Sequence, residues 1–237
     1  DVSKNFNILA RTGIDTYNMT LEERRATGSV PANFSFNTVE QPSGYALTNL
    51  KFTETNYDLI ATYKKNFDND FSLQMLLGGN INVQNNYSVS QTTSGGLYIP
   101  GLYTISNSVS APARPLISDT SKYIYGAFTQ ASLGYKNTYY LEGTFRRDQS
   151  SSLPSDKSVY YYPSLSGSVV VSNLIKQDWL SFAKLRGAYA EVGSDTAADQ
   201  LRNRYNVQTA FGNIPVYSYS TTLRNAELLP QKLKNIE

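Results

Sequence analysis

The chain has 237 residues and a net charge of +2, and it contains neither cysteine nor histidine. The missing cysteine excludes disulfides and thiolate chemistry, and the missing histidine removes the commonest general base and metal ligand. The small, dispersed positive charge argues against a nucleic-acid surface. No window offers the roughly 18 apolar residues that a transmembrane helix needs.

Long segments of alternating apolar and polar residues dominate the sequence. In the clearest, which begins at Phe71, the odd positions up to Val83 are mostly apolar and the even positions mostly polar. A period of two predicts an extended strand with one apolar and one polar face. The alternation outlasts an ordinary strand of about 5–6 residues and is long enough for the about 9–11 that cross a bilayer. We predict strands at about 3–16, 53–67, 71–88, 121–136, 138–149, 158–173 and 180–194, with another from about Lys232.

The links between these strands alternate in length. Tight turns follow the second strand at Asp68 to Asp70 and the fourth at Asn137, and a short link follows the sixth; the other links are long. Bacterial outer-membrane barrels combine short periplasmic turns with long extracellular loops in this way. Within the first long link, Thr20 to Glu23 fits a capping box and Gly28 a helix end, which predicts a short helix near 21–27.

Alternation alone leaves open which face meets lipid, because a soluble lipocalin-like barrel has the same period with its apolar face inside. The chain contains 19 tyrosines, and several lie at strand ends, as at Tyr139 and at Tyr160 to Tyr162. Tyrosine suits a membrane–water boundary because its ring is apolar and its hydroxyl is polar. We therefore predict an antiparallel transmembrane β-barrel segment, all-β, with long extracellular loops and its apolar faces toward lipid.

The later strands carry motifs of a known family. Residues 139–151 resemble the R-x-D-x-S-S strand and loop of the SusC/RagA-type TonB-dependent outer-membrane transporters of Bacteroidetes. Residues 162–166 are similar to the family's F/Y-P-S-x-S motif, and residues 180–195 to its K-L-R-x-S-Y-x-x-x-G-N strand. Residues 225–231 are similar to its N-x-x-L-x-P-E segment. The resemblance covers about 139–231, whereas the earlier residues match only in their rhythm of strands and loops.

The resemblance implies a barrel of about 22 strands with an N-terminal plug. It also implies a TonB box, a SusD-like lipoprotein lid, and active import of oligosaccharides or peptides across the bacterial outer membrane. On this interpretation residues 1–237 are part of one barrel domain embedded in outer-membrane lipid, and the plug, the TonB-contacting part and the remaining strands lie outside the sequence. Two alternatives stay open: a small outer-membrane barrel that serves as adhesin or anchor, and a soluble β-rich binding protein.

The sequence contains no constellation for catalysis, and we expect a protein that is not an enzyme and uses no cofactor and no metal. The polar faces of the fifth and seventh strands carry charged residues that we expect to line the lumen: Glu142, Arg146, Asp148, Lys184 and Arg186. Aromatic residues of the long loops are candidate contacts to substrate or lid, because tyrosine combines an apolar ring with a polar group. They are Tyr98, Tyr103, Tyr217 and Tyr219.

Overall fold

The computed structural model describes residues 3–29, 41–112, 114–177, 179–212 and 214–237. Twelve strands and two short 3-10 turns form in these ranges, and no α-helix does. No helix in the described residues is long and apolar enough to cross a bilayer. The strands are β1 Phe6–Arg25, β2 Gly44–Asn66, β3 Phe71–Thr92, β4 Ser94–Leu97, β5 Ser108–Ser110, β6 Leu116–Tyr135, β7 Tyr139–Ser150, β8 Val159–Val170, β9 Lys184–Ser194, β10 Tyr205–Phe211, β11 Ile214–Tyr219 and β12 Gln231–Ile236.

Eight strands form one sheet in the order β1-β2-β3-β6-β7-β8-β9-β12. The ladders from β6 to β12 are antiparallel, and each long strand pairs with the next along the chain. Such a meander is the topology of an up-and-down barrel wall. β1 and β12 stand at the two ends of the order, so the sheet is not closed within this chain. The predicted all-β, antiparallel class is confirmed, and a strand forms at each predicted place.

The prediction of a helix near 21–27 is wrong, because β1 continues as a strand through Arg25. Its partners lie on β2, where the Thr20 hydroxyl donates to the Asn49 side-chain oxygen at 2.9 Å and the Tyr45 hydroxyl donates to Glu22 at 3.0 Å. Hydrogen bonds to a neighbouring strand have therefore outweighed the local capping signal. Two long links also contain hairpins that the sequence did not predict, β4–β5 and β10–β11.

Contacts divide the chain into two units, and the first comprises residues 1–13, 56–83 and 122–237. Its strands expose their apolar faces: Leu77 is 65% exposed, and Leu133 and Phe145 are each 46% exposed. From Lys122 to Leu133 the exposed positions of β6 are the odd ones, and the even ones are half-buried. The exposure of these apolar side chains agrees with the predicted apolar face toward lipid.

The second unit comprises residues 14–55 and 84–121. It contains a small buried cluster in which Tyr45, Ala46 and Leu97 are each less than about a tenth exposed. Polar groups close the cluster: the backbone N–H of Tyr45 donates to the Thr93 hydroxyl at 3.0 Å, and the N–H of Leu97 donates to the Ser43 hydroxyl at 2.8 Å. The hairpin β4–β5 is thereby fixed against the end of β2.

Candidate functional site

The half-buried face of β6 and β7 carries a fixed ion pair. The Arg146 Nε lies 2.9 Å from both carboxylate oxygens of Asp148, which is buried. The Arg146 guanidinium also lies 5.4 Å from the centre of the Phe128 ring. Gly126 makes room for the pair, because a Cβ there would lie 2.7 Å from the Arg146 Nη2 and from Asp148 Oδ1. The sequence placed Arg146 and Asp148 on one polar face, and the structure joins them.

Glu142 lies on the same face of β7, four residues before Arg146. Its Oε2 accepts a hydrogen bond from Gln130 at 2.9 Å and from the Ser132 hydroxyl at 2.7 Å. Both donors lie on β6, where Ser132 is the direct cross-strand partner of Glu142. The carboxylate is thus held between neutral donors.

A similar arrangement on β1–β3 joins Arg11, Asp58 and Asn80. The Arg11 Nε lies 2.7 Å from Asp58 Oδ2, and the Asn80 amide donates to Asp58 Oδ1 at 2.7 Å. This face therefore presents hydrogen-bonded charges at successive strands.

Lys184 and Arg186 are exposed, whereas Glu142 and Arg146 on β7 are half-buried and Asp148 is buried. Arg186 pairs across the strands with Ser168, which itself pairs with Tyr140, so all three share the face of Glu142. The Lys184 Nζ lies 5.6 Å from the Tyr140 ring centre, and Arg186 forms an ion pair with Glu237. The structure thus places the five predicted lumen residues on one face, and whether that face borders a lumen stays a prediction.

Four residues that sequence reasoning left out of the site form a buried polar cluster, the Asp195 cluster: Lys122, Ser150, Ser152 and Asp195. The Lys122 Nζ lies 2.7 Å from Asp195 Oδ1 and donates to the Thr196 carbonyl at 3.0 Å. Ser150 and Ser152 donate to Asp195 Oδ2, the latter at 3.2 Å. The cluster binds β6, β7 and the long link after β9 to one another.

A cavity of about 540 Å³ lies beside this cluster, between the β7–β8 link and the β9–β12 link. It is lined by the serines at the end of β7 and by charged groups of both signs, Asp156 and Arg202. An ion pair between Lys157 and Glu227 joins the same two links. The glutamate accepts a hydrogen bond from Lys157, and this raises the pKa of the lysine. The cavity is therefore a recess with both polar and apolar lining, between two loops that an ion pair joins.

The candidate aromatic residues fall into two environments in the β3–β6 link. Tyr98 is 79% exposed. It begins a loop, residues 98–102, which the buried Asn107 organises: its side chain accepts from the Ile99 N–H at 3.0 Å and donates to the carbonyls of Ile99 at 2.8 Å and Leu102 at 2.6 Å. Tyr103 instead packs against Tyr45, with 6.4 Å between ring centres. The geometry favours Tyr98 over Tyr103 as a contact to another molecule.

Tyr217 and Tyr219 lie on β11 of the separate hairpin β10–β11. They are 60% and 51% exposed, and Tyr205 stacks edge-on against Tyr219 at 5.4 Å. Phe211 at the end of β10 is also exposed. Tyr205 and Phe211 were not among the contacts predicted from the sequence. The available signal was that they occupy odd positions, as Tyr217 and Tyr219 do.

Glu22 and Tyr45 form a hydrogen-bonded pair at the long-link end of β1 and β2. Hydrogen bonds from Arg24 and from Tyr45 hold the pKa of the Glu22 carboxyl below its ordinary value. Burial, followed by the hydrogen bond to Glu22, raises the pKa of the Tyr45 hydroxyl. Both groups keep their ordinary charge near neutral pH, so the pair is structural.

The described part of the chain contains no group of three acidic, histidine or cysteine side chains that could hold a metal ion. Asp195 lies beside two serine hydroxyls, and its carboxylate is ion-paired with Lys122. The polar face and the loop cavity can exchange hydrogen bonds with a solute.

No protein-family model and no curated protein matches the sequence. Solved structures of one transport system do match. A chain of the RagAB peptide importer in its closed-closed state has a TM-score of 0.79 at 19% identity, and the match covers 99% of this chain and 26% of that one. A chain of the RagAB peptide transporter gives 0.78 at 20% identity, covering 98% of this chain and 26% of that one. The open-open state gives 0.76 at 18% identity, with 99% and 25% covered.

At this identity the likeness establishes the fold alone: the chain folds into an antiparallel sheet like part of those chains. The chain spans about a quarter of the length of the solved chains it matches.

Proposed function

We propose that this chain is part of the barrel wall of a TonB-dependent, SusC-like importer in the bacterial outer membrane. One observation carries the proposal: an eight-stranded antiparallel sheet with exposed apolar faces matches a peptide importer along 99% of its residues. Strand length supports it, because β1, β2, β3 and β6 have 20, 23, 22 and 20 residues. A tilted crossing needs only about 9–11, so the remainder extends outside the hydrocarbon.

The proposed mechanism is gated passage without bond chemistry. The half-buried face with its ion pairs borders the substrate path through the barrel. Charges that are already hydrogen-bonded, such as Arg146–Asp148, keep this face polar without binding the transported solute tightly. Energy enters through TonB, by way of a plug and a TonB box that are not among these 237 residues. A SusD-like lipoprotein covers the extracellular opening.

Among substrates, the loop cavity favours peptides over neutral oligosaccharides. Asp156 and Arg202 line it together, so it offers partners for both the ammonium and the carboxylate ends of a short peptide. The solved structures that match are described as a peptide importer or transporter, which supports the same choice. The exposed Tyr98 loop and the β10–β11 hairpin are the surfaces we assign to lid or substrate contact.

The test uses the intact gene product in its own host. We expect the protein in the outer-membrane fraction, a lipoprotein that co-purifies with it, and uptake of a labelled oligopeptide that stops when TonB is deleted. Uptake that persists without the gene would overturn the import role. A membrane-embedded protein of about the mass of this chain alone would indicate the anchor or adhesin alternative, and a soluble protein would contradict the barrel.

A further inference from the structure

The exposed apolar face of β6–β9 contains a groove of about 500 Å³ close to the short-link end of these strands. Its floor is formed where Gly167 and Gly187 stand directly opposite each other on β8 and β9. Leu141, the partner of Gly167 on β7, forms one wall, and Val169 and Leu185 form the end nearest the short link. The groove has the size of an ordinary small-molecule site, about 300–1,000 Å³.

Aromatic rings and a cation border the groove toward the short-link end. The Phe71 and Tyr135 rings lie 4.5 Å apart and the Tyr135 and Tyr139 rings 6.3 Å apart, so the three form a row. The exposed Lys136 places its Nζ 5.2 Å from the Tyr135 ring centre. An apolar groove that ends at tyrosines and an ammonium is complementary to a molecule with an apolar chain and an anionic head.

Exposed apolar side chains of the β8–β9 link independently favour contact of this corner with an apolar phase. Leu174, Ile175, Trp179 and Phe182 are between 49% and 79% exposed, and Lys176 lies among them. This link covers residues 171–183, so it is longer than predicted and longer than the β7–β8 link at 151–158. Tryptophan, aliphatic side chains and lysine within one such link are typical of the boundary between hydrocarbon and headgroups. The link leads directly into β9 and so to Leu185 of the groove.

We propose that the groove is a binding site for one glycerophospholipid, with an acyl chain over Gly167 and Gly187 and the phosphate beside Lys136. The inference rests on the proposed function, because the outer-membrane orientation puts the short links at the periplasmic leaflet, which contains glycerophospholipids. Lys136 at the end of the groove favours a phospholipid over a second copy of the chain. A second copy would bring its own Lys136 to the same surface, and the two ammonium groups would repel each other.

The test is native mass spectrometry of the intact protein with its co-purifying partner, extracted in a mild detergent. We expect wild type to retain one phospholipid and Gly167→Leu, which fills the groove, to lower the retained fraction about tenfold. Gly143→Leu is the matched control: Gly143 lies on the same face of the sheet, opposite Leu165, outside the groove lining. Lys136→Gln should reduce rebinding of phosphatidylglycerol from added vesicles to the delipidated protein.

Equal retention in wild type and Gly167→Leu would overturn the lipid site, as would a lipid-free wild type that runs as two copies and is split by Gly167→Leu. Both outcomes leave the proposed function standing if the same strains place the protein in the outer membrane and import the labelled peptide. Failure of fractionation and uptake in wild type would instead overturn the proposed function itself.

Discussion

Replacing Asp195 by alanine tests whether the Asp195 cluster anchors the long β9–β12 link. The carboxylate accepts hydrogen bonds from Lys122, Ser150 and Ser152, and the side chains of Lys122 and Asp195 are only 15% and 11% exposed. The substitution leaves an ammonium without its counter-charge in a site that is shielded from water.

The expected cost follows from this burial. Removing one partner of a buried ion pair costs about 3–5 kcal/mol, whereas an exposed pair is worth about 0.2–1 kcal/mol. Because the Asp195 cluster is not completely buried, we expect about 3 kcal/mol, the lower end of the first range. A double-mutant cycle with Lys122→Met should return a coupling of about 1.5–3 kcal/mol, the value for a hydrogen bond to a charged group.

Limited proteolysis of the link measures the change locally. When the cleavage rate is proportional to the fraction of molecules in which the link is open, a loss of about 3 kcal/mol of local stability raises that rate about 100-fold. Glu227→Ala is the matched control, because its ion pair with Lys157 joins the same link but Glu227 is 73% exposed. The control should change the rate by less than about fivefold. Equal cleavage of the two variants would refute the assignment of the cluster as an anchor.

Three further changes test other parts of the structure. Gly126→Val brings a side chain onto Arg146 and Asp148, and thermal unfolding should show a loss of about 1–3 kcal/mol. Asn107→Ala removes three hydrogen bonds, and the amides of the loop that it holds should exchange faster, by the equivalent of about 2–3 kcal/mol. Leu77→Arg puts a charge on the exposed apolar face, and stability in phospholipid vesicles should fall by about 2–4 kcal/mol.

Each of these changes has an outcome that contradicts its reasoning. In the proposed orientation, Phe71 and Tyr135 mark the membrane boundary at the short-turn end of their strands. Leu77 lies six residues from Phe71, which is roughly 15 Å from that boundary at about 3.3 Å per residue and about 40° of tilt, whereas Leu133 lies only two residues from Tyr135. Leu133→Arg should therefore cost only about 0–1 kcal/mol, and equal costs would contradict the lipid-facing assignment. Unchanged exchange in Asn107→Ala would show that the loop has other support. Normal stability of Gly126→Val would show that the ion pair can move aside.

The period-two pattern predicted the strands of the first unit well, because each of their side chains meets one of two different environments. β6 and β7 begin and end within about five residues of the prediction, and their apolar faces are the exposed ones. The prediction failed where partners are distant in sequence. Residues 20–23 fit a helix start locally, yet Asn49 and Tyr45 on β2 hold them as a strand.

Sequence reasoning found part of the candidate site and missed the rest for a physical reason. Arg146 and Asp148 share a face two residues apart, so alternation was sufficient to bring them together. The Asp195 cluster joins residues up to 73 positions apart. The residues next to Lys122 and Asp195 in the sequence do not predict this contact. It arises from the order of the strands in the sheet.

The glycines of β3 and β6 accommodate large side chains of neighbouring strands. A Cβ on Gly78 would lie 2.3 Å from the Phe128 ring, and one on Gly126 would meet Arg146. A mutation at either position therefore displaces the overlying side chain unless that side chain is exchanged for a smaller one. Pairs of compensating exchanges can then replace one another while the spacing of the strands is preserved.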